Sequence, residues 1–297
     1  MSDGGGEEGG GASFAVDGCT FAAPPLPPAL FLVATPIGNL RDVTLRALEV
    51  LAAADVVAAE DTRHSRRLLD RYAIRRPMIS YHEHNEAQAS ERLLADLDAG
   101  RSVALVSDAG TPLVSDPGFR LVVGARQAGH AVVPVPGPSA PLAALVASGL
   151  AGDAFTFAGF LPPKQGARRA RLDRLRAVPG TLVLFEAPHR LAASLGDMAA
   201  VLGEREAVVA RELTKRHEEL RTATLGDLAR HYAEEEPRGE IVVCIAPAPE
   251  TEAVDAERVL RDLLSDMPVS RAAAEAAKLT GHSKRELYAM GLKIKDG

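Results

Sequence analysis

Short apolar runs alternate with amphipathic segments along the chain from residue 31 onward. The runs predict strands at residues 31–34, 55–59, 78–81, 103–107 and 131–135, with helices starting near Asp42, Thr62, Asn85 and Asp116. Residues 103–106 (VALV) are apolar without interruption, as is typical of a strand buried on both faces of a parallel sheet. Asn85, with Gln88 three residues later, forms a helix-capping pattern. The alternation predicts a first α/β domain at residues 29–137.

A second α/β domain is predicted at residues 138–249, after a compact hinge with the sequence PVPGPSAP at residues 134–141. An apolar helix follows the hinge, and strands are predicted at residues 155–159, 181–185, 207–211 and 241–246. Short alanine-rich helices after residue 250 predict a helix-turn-helix-like extension at residues 250–297, with a turn at Gly281 and a cap at Ser283 paired with Glu286. Residues 1–28 are rich in glycine and then in proline, and they are predicted to be a disordered tail.

The loop that follows residues 103–106 is dense in glycine, proline and carboxylate, with the sequence SDAGTPLVSDPG. It leaves the carboxyl end of a predicted strand, which is where open α/β sheets bind ligands. Asp108 and Asp116 supply hydrogen-bond acceptors there, and Gly110 lets the backbone approach a ligand closely. Asp116 followed by Pro117 also predicts a helix cap and a first helical residue. The loop suits a polar, ribose-bearing small molecule, and the alternative is an ordinary strand-to-helix connection.

Composition narrows the classes of protein. The 297 residues are 46% hydrophobic, which is enough for a sizeable core. No apolar run approaches membrane-spanning length and the start lacks a signal-like segment, so a soluble, cytoplasmic protein without membrane contact is expected. The net charge of -6 argues only weakly against nucleic acid, because charge patches matter more than the sum. Cys19 and Cys244 lack metal-ligand spacing, and no metal site is expected.

Eight motifs occur in an order that resembles one family. They are ATPIGNLRDVTLRALEVL at residues 34–51, AEDTRHS at 59–65, HEHNE at 82–86, SDAGTPLVSDPG at 107–118, PGPSA at 136–140, GFLPPK at 159–164, EAPHRL at 186–191 and ARELTK at 210–215. The chain resembles the tetrapyrrole methylase superfamily, the class III S-adenosylmethionine-dependent methyltransferases. Tetrapyrrole enzymes carry GxGPGDPELLT and GGDP, whereas this chain has TPIGNLRDVT and SDAGTPLVSDPG, which resemble the ribosomal RNA branch.

The resemblance implies two α/β domains with S-adenosylmethionine in the cleft between them, a homodimer, and 2′-O-methylation of a cytidine in the decoding region of 16S ribosomal RNA. It implies cofactor contacts at Pro36, Gly38, Asp108, Gly110, Thr111, Ser115, Asp116, Ser139, Ala140, Phe185, Glu186, Leu213 and Gly239. Two alternatives stay open. One is a tetrapyrrole C-methyltransferase, and the other is a non-catalytic RNA-binding assembly factor that retains the pocket.

A general base would activate the ribose hydroxyl, which is a poor nucleophile when protonated. Glu60 and Asp61 directly follow a predicted strand and are expected to face the same cleft as Asp108. Other candidates in the loops are His64, His82, His84 and Lys164. The alternative for either acid is a helix cap or a partner for a nearby arginine.

Two basic segments favour an RNA substrate. Residues 159–176 contain Lys164, Arg168, Arg169 and Arg171 with Asp173 as the single acid, and Arg63 and Arg66 belong to a basic cluster in the first domain. Clusters of this kind neutralise phosphate backbones. The alternative is a solvated helix face. The cationic C-terminal extension is expected to dock the substrate.

Overall fold

The structure, a computed structural model, describes residues 11–248, 256–280 and 282–296. These residues form two compact units, with the boundary between Ile245 and Ala246. The first unit contains the first predicted α/β domain and residues 138–245 of the second. No helix of the described residues is long and apolar enough to cross a membrane.

The chain begins with a β-hairpin of β1 (Ser13–Val16) and β2 (Cys19–Ala22), which contradicts the prediction of a disordered tail for these residues. Phe14 is buried among core side chains of the parallel sheet described below, and it stacks on Phe21 with ring centroids 5.5 Å apart. The backbone N–H of Ala15 donates to the carbonyl of Tyr72 at 2.8 Å. These two aromatic side chains supply the apolar surface that orders an otherwise glycine-rich stretch. Residues 1–10 of the predicted tail lie outside the described residues.

A five-stranded parallel sheet follows, with the strand order β5-β4-β6-β3-β7. Its elements are β3 (Leu30–Val33), α1 (Leu45–Ala53), β4 (Val56–Ala59), α2 (Thr62–Arg71), β5 (Met78–Ser80), α3 (Glu86–Asp98), β6 (Val103–Val106), α4 (Phe119–Gln127) and β7 (Val132–Val135). All four residues of β4 and of β6 are buried, which confirms the interpretation of the apolar runs. The buried apolar side chains of this sheet and its helices form two clusters.

Three of the predicted helix caps differ in the structure. Helix α1 is capped by Thr44, whose hydroxyl accepts from Ala47 N at 3.1 Å, and Asp42 instead ends a short 3-10 turn. Asn85 stands at the N-cap of α3, but its side chain accepts from His82 N at 2.9 Å and makes no cap bond. Gly118, not Asp116, stands at the N-cap of α4.

A second, mixed five-stranded sheet has the order β11-β10-β12-β9-β8, in which only β8 and β9 are parallel. Its elements are α5 (Ala140–Ser148), β8 (Phe155–Phe160), α6 (Gln165–Leu175), β9 (Thr181–Glu186), α7 (Leu191–Leu202), β10 (Glu206–Arg211), β11 (Glu219–Thr224), α8 (Leu225–Glu234) and β12 (Ile241–Ile245). The edge strand β11 was not predicted; it has no buried residue, and three of its six residues are exposed.

The described residues of the second unit form three helices, α9 (Ala256–Leu264), α10 (Val269–Thr280) and α11 (Lys284–Asp296). The apolar core between them includes Leu260, Ala272, Ala273, Ala276 and Leu287. The Ser283 hydroxyl accepts from Glu286 N at 3.2 Å, which confirms the predicted cap. The predicted turn residue Gly281 lies outside the described residues.

Candidate functional site

The loop after β6 joins the carboxyl ends of three strands. Thr35, which follows β3, and Gly110 exchange two backbone hydrogen bonds, at 2.8 and 2.9 Å. The Asp108 side chain accepts from Asp61 N, which follows β4, at 2.9 Å. Asp108 therefore connects the loop after β6 to the loop after β4, and it does not line the cavity described below.

The same loop holds two non-glycine residues in the left-handed region, Leu113 at φ 71° and Ser115 at φ 68°. Such residues are uncommon and mark functional loops more often than ordinary connections. At Gly118 the φ is 133°, and a Cβ atom would lie 2.8 Å from the Leu105 side chain. The chain must make this close approach before α4 begins, which is why the predicted cap at Asp116 is wrong. Asp116 instead lines a cavity.

Two half-buried carboxylates at this edge of the sheet, Glu60 and Asp116, have raised pKa values. Burial and the charge of Glu60 raise the pKa of Asp116 to about 6, with a smaller contribution from Asp108, while the Ser107 hydroxyl lowers it. Burial and Asp108 also raise the pKa of Glu60, against the effect of His82. Carboxylates that are both buried and close to like charges are typical of functional sites.

Asp61 performs the alternative role that the sequence left open. Its carboxylate caps α2, accepting from Arg63 N at 2.8 Å and His64 N at 3.4 Å. These hydrogen bonds hold the pKa of Asp61 below its ordinary value. The side chain is thereby committed to the helix terminus and does not line the cavity.

A cavity of about 380 Å³ is lined by residues from both sheets of the first unit. Most of the predicted cofactor residues line it, namely Gly110, Thr111, Ser115, Asp116, Ser139, Ala140, Phe185, Glu186, Leu213 and Gly239. The others, Pro36, Gly38 and Asp108, do not. A Cβ atom at Gly38 would lie 2.5 Å from the Lys215 side chain, so this glycine allows the loop after β3 to pack against residues 213–215.

One wall of the cavity carries a buried carboxylate. Glu186 accepts from Ala187 N at 2.9 Å and forms an ion pair with Arg190 at 3.2 Å, both through Oε1. Its other oxygen, Oε2, is buried and has no hydrogen-bond partner within the described part of the chain. A buried acceptor without a partner is destabilising, and a ligand that donates a hydrogen bond would satisfy it.

Other parts of the cavity lining offer backbone donors and a close approach. Helix α5 begins at Ala140, after Ser139, whose side chain makes no cap bond, so the first N–H groups of the helix are free to bind an anion. Thr111 donates to the carbonyl of Pro138 at 3.2 Å and holds the loop against this helix. Gly239 has φ 92°, and a Cβ atom there would lie 2.2 Å from the Glu212 carboxylate. No other residue type fits that position without a shift.

Apolar side chains complete the walls, and the sequence did not point to them. They include Ile37, Val114, Phe160, Ala210 and Val242. All of them except Val242 lie within the quoted motifs. Phe160 is 55% exposed, and its ring lies 5.3 Å from that of Phe185. The cavity thus fits a ligand with an apolar ring system, hydrogen-bond donors and an anionic end.

The basic segment of α6 is only partly available to a substrate. The Arg168 side chain is 6% exposed and donates to Asp197, so the prediction that it contacts phosphate is wrong. Arg169 is half exposed and bonds the same carboxylate at 2.6 Å. Lys164 is exposed and Arg171 is half-buried, and neither forms an ion pair within residues 11–248. In the first domain Arg63 is 92% exposed, pairing with Asp61 at 3.4 Å, and Arg66 is half-buried.

Comparison with known proteins finds one family match for residues 29–229 and another for residues 250–295. The family of tetrapyrrole (corrin/porphyrin) methylases matches residues 29–229, and the RsmI C-terminal HTH domain matches residues 250–295. A protein of Mesorhizobium japonicum called ribosomal RNA small subunit methyltransferase I is 62% identical over 92% of this chain and 95% of its own length. The Pseudomonas aeruginosa protein of the same name is 51% identical over 89% of this chain and 96% of its own.

Solved structures share the fold of the first unit. Uroporphyrin-III C-methyltransferase of Thermus thermophilus, complexed with S-adenyl homocysteine, is 23% identical with a TM-score of 0.53, over 73% of this chain and 97% of that one. Diphthine synthase is 16% identical with a TM-score of 0.58, over 73% of this chain and 90% of that one.

Proposed function

Because the chain belongs to the tetrapyrrole methylase family and, within it, to the ribosomal RNA small subunit methyltransferase I proteins, we propose that it methylates a ribose 2′-oxygen of 16S ribosomal RNA, with S-adenosylmethionine as methyl donor. The target is a cytidine of the decoding region. The observation that carries the proposal is the cavity, in which the sequence motifs shared with the family converge on one set of walls. The tetrapyrrole alternative rests on solved structures under 25% identical, which share the fold alone.

The residues present fit S-adenosylmethionine. The free N–H groups at the start of α5 suit its carboxylate, and the unpartnered oxygen of Glu186 suits one of its hydrogen-bond donors. Phe185, Leu213 and the strand ends supply an apolar wall for the adenine. The bound cofactor supplies a methyl group on a sulfonium, which an oxygen in line with the carbon-sulfur bond can attack. The chain holds the cofactor and the ribose in that line, and such positioning alone lowers the barrier considerably.

Mapping ribose methylation on 16S ribosomal RNA tests this function. Cells without the protein are expected to lack one 2′-O-methyl group, which the purified protein and S-adenosylmethionine restore on small subunits or on free RNA. Methylation of uroporphyrinogen, with none on ribosomal RNA, would establish the tetrapyrrole alternative. Tight RNA binding without any methyl transfer would establish the assembly factor.

The exposed basic residues of α6 and the loop before it are proposed to contact RNA phosphates. Replacing Lys164, Arg169 and Arg171 by glutamine is expected to weaken RNA binding and to reduce the slope of log K against log salt by about 2, at roughly 0.7 per lost contact to single-stranded RNA. Filter binding of 16S ribosomal RNA fragments over a salt series measures both effects. Affinity for S-adenosylmethionine should stay unchanged, because none of the three residues lines the cavity.

A matched control replaces three other exposed arginines, Arg92, Arg126 and Arg230, which lie outside both basic segments. The control removes the same net charge, so it separates a local contact from the overall field of the protein. Equal losses of affinity and slope in both triple variants would contradict a specific contact at α6.

We further propose a homodimer in the cytoplasm, which docks its substrate with the helical C-terminal unit. Helix α5 supports self-association, since its outer face exposes two large apolar side chains, Leu142 at 48% and Val146 at 82%. Apolar residues of this size, adjacent on one helix face, are typical of an interaction surface. The match of residues 250–295 to the helix-turn-helix domain supports the docking role.

A further inference from the structure

Of the four acidic residues at the carboxyl ends of β4 and β6, only Asp116 lines the cavity. Asp61 caps α2, and Asp108 is bound to the backbone of Asp61. Glu60 lies close enough to act on Asp116 through its charge, but it is not part of the cavity wall. Of these four, Asp116 is therefore the one that a molecule in the cavity would meet.

The position of Asp116 is fixed by an unusual backbone. The residue before it, Ser115, has φ 68°, and its hydroxyl lies 3.3 Å from where a Cβ atom of Gly159 would stand. Leu113 and Gly118 are also in the left-handed region. With this loop conformation α4 begins only at Phe119, and Asp116 lies in the cavity wall.

We propose that Asp116 is the proton acceptor of the methyl transfer, and that Glu60, at the carboxyl end of the strand paired with β6, is a positioning residue that acts through Asp116. The inference rests on the proposed function. As the bond between the ribose 2′-oxygen and the methyl carbon forms, the bond between that carbon and the sulfur breaks, and the sulfur keeps the electron pair. The hydroxyl proton passes to the Asp116 carboxylate and from there to water. No further reactant is required.

The electrostatics of the loop suit this role. An ordinary aspartate is a weak base at neutral pH, whereas the pKa of Asp116 is raised to about 6 by burial, by Glu60 and by Asp108, against the Ser107 hydroxyl. The residue is still largely ionised at neutral pH and is a stronger base than an unperturbed carboxylate. The other acidic residues of the cavity wall are Glu186, which is paired with Arg190, and Glu240, which is paired with Lys215.

The first test compares Asp116→Asn with the wild-type protein on 16S ribosomal RNA. The variant is expected to lose about a hundredfold in kcat, the lower range for removal of a general base. Its affinity for S-adenosylhomocysteine by calorimetry is expected to stay within about threefold, since the change removes a charge and not a wall of the cavity. Asp116→Glu keeps the carboxylate, and we expect it to retain more activity than the asparagine variant.

The second test uses Glu60→Gln, which removes the negative charge that acts most strongly on Asp116. The wild-type kcat should fall as the pH drops through about 6. In the variant this acid limb should move to lower pH, because the ionised form of Asp116 is no longer opposed by Glu60. Carbon-13 NMR of the aspartate carboxyls measures the change in the Asp116 pKa directly, with no substrate present. The Asp116 signal is identified as the one that is missing in Asp116→Asn.

Three results would overturn the inference. One is near wild-type kcat in folded Asp116→Asn. Another is a loss of cofactor affinity in that variant as large as the loss of activity, which would make Asp116 a cofactor ligand. The third is an acid limb and a carboxyl titration that Glu60→Gln leaves in place. If Asp116→Asn does not fold, an acid limb that stays in place in Glu60→Gln would by itself overturn it. A wild-type protein that methylates no ribosomal RNA would instead contradict the proposed function.

Discussion

Replacing Ala140 by phenylalanine is expected to abolish binding of S-adenosylmethionine, with a loss of roughly a thousandfold or more in affinity, or about 4 kcal/mol. Ala140 lines the cavity at the first position of α5, where the free N–H groups are proposed to hold the carboxylate of the cofactor. A phenyl ring would occupy space that the ligand needs, and close-packed walls cannot yield to it. Isothermal titration calorimetry measures the loss.

The control for this change lies on the same helix. Ala147 is exposed in α5 and does not line the cavity, so Ala147→Phe should bind the cofactor like the wild-type protein. Circular dichroism establishes that both variants are folded. Retained affinity in a folded Ala140→Phe protein would mean that the cofactor binds elsewhere.

Replacing Asp197 by asparagine is expected to lower the free energy of unfolding by about 3 to 5 kcal/mol, the range found when one partner of a buried ion pair is removed. Asp197 is 2% exposed and accepts from Arg168 at 2.7 Å and from Arg169 at 2.6 Å. The variant leaves the buried guanidinium of Arg168 without its counter-charge. Urea denaturation at neutral pH measures the change.

A double variant separates this charge effect from a loss of packing. Asp197→Leu with Arg168→Met removes both charges, and it should be closer to wild-type stability than Asp197→Asn.

Burial raises the pKa of Asp197, but the hydrogen bonds from Arg169 and Arg168 outweigh this effect, so the pKa lies below that of an ordinary aspartate. The stabilisation is therefore present at neutral pH and is lost as the pH falls through that lowered value. A loss below about 1 kcal/mol in Asp197→Asn would contradict the argument.

All strands of the two sheets except β11 could be placed from the sequence, because most of them are buried. A buried strand must be apolar on both faces, so β4, β6 and β12 appear as unbroken runs, and their ends fall within a residue of prediction. The terminal hairpin could not be predicted, because its order depends on Phe14 reaching a core formed by residues far along the chain. The residues near Phe14 in the sequence do not indicate that contact.

The site was predictable to the extent that its chemistry is local. The loop at residues 107–118 combines glycine, proline and acid within twelve positions of sequence, and it does form one wall of the cavity. The burial of Arg168 was not predictable, since it depends on Asp197, which lies 29 residues away on α7. Likewise, nothing in the residue types distinguishes Asp61, which caps a helix, from Asp116, which lines the cavity.

The outermost strands of the second sheet protect the protein against aggregation. An edge strand presents unpaired N–H and C=O groups on which a strand of another molecule can grow. On β11 this edge carries Glu219 and Arg221, ion-paired at 3.0 Å, and a foreign strand could not dock there without disturbing them. At the opposite edge, β8 is interrupted by an irregularity between Phe157 and Gly159. The polarity that makes β11 hard to recognise from an apolar pattern thus also disfavours the addition of a sixth strand at this edge.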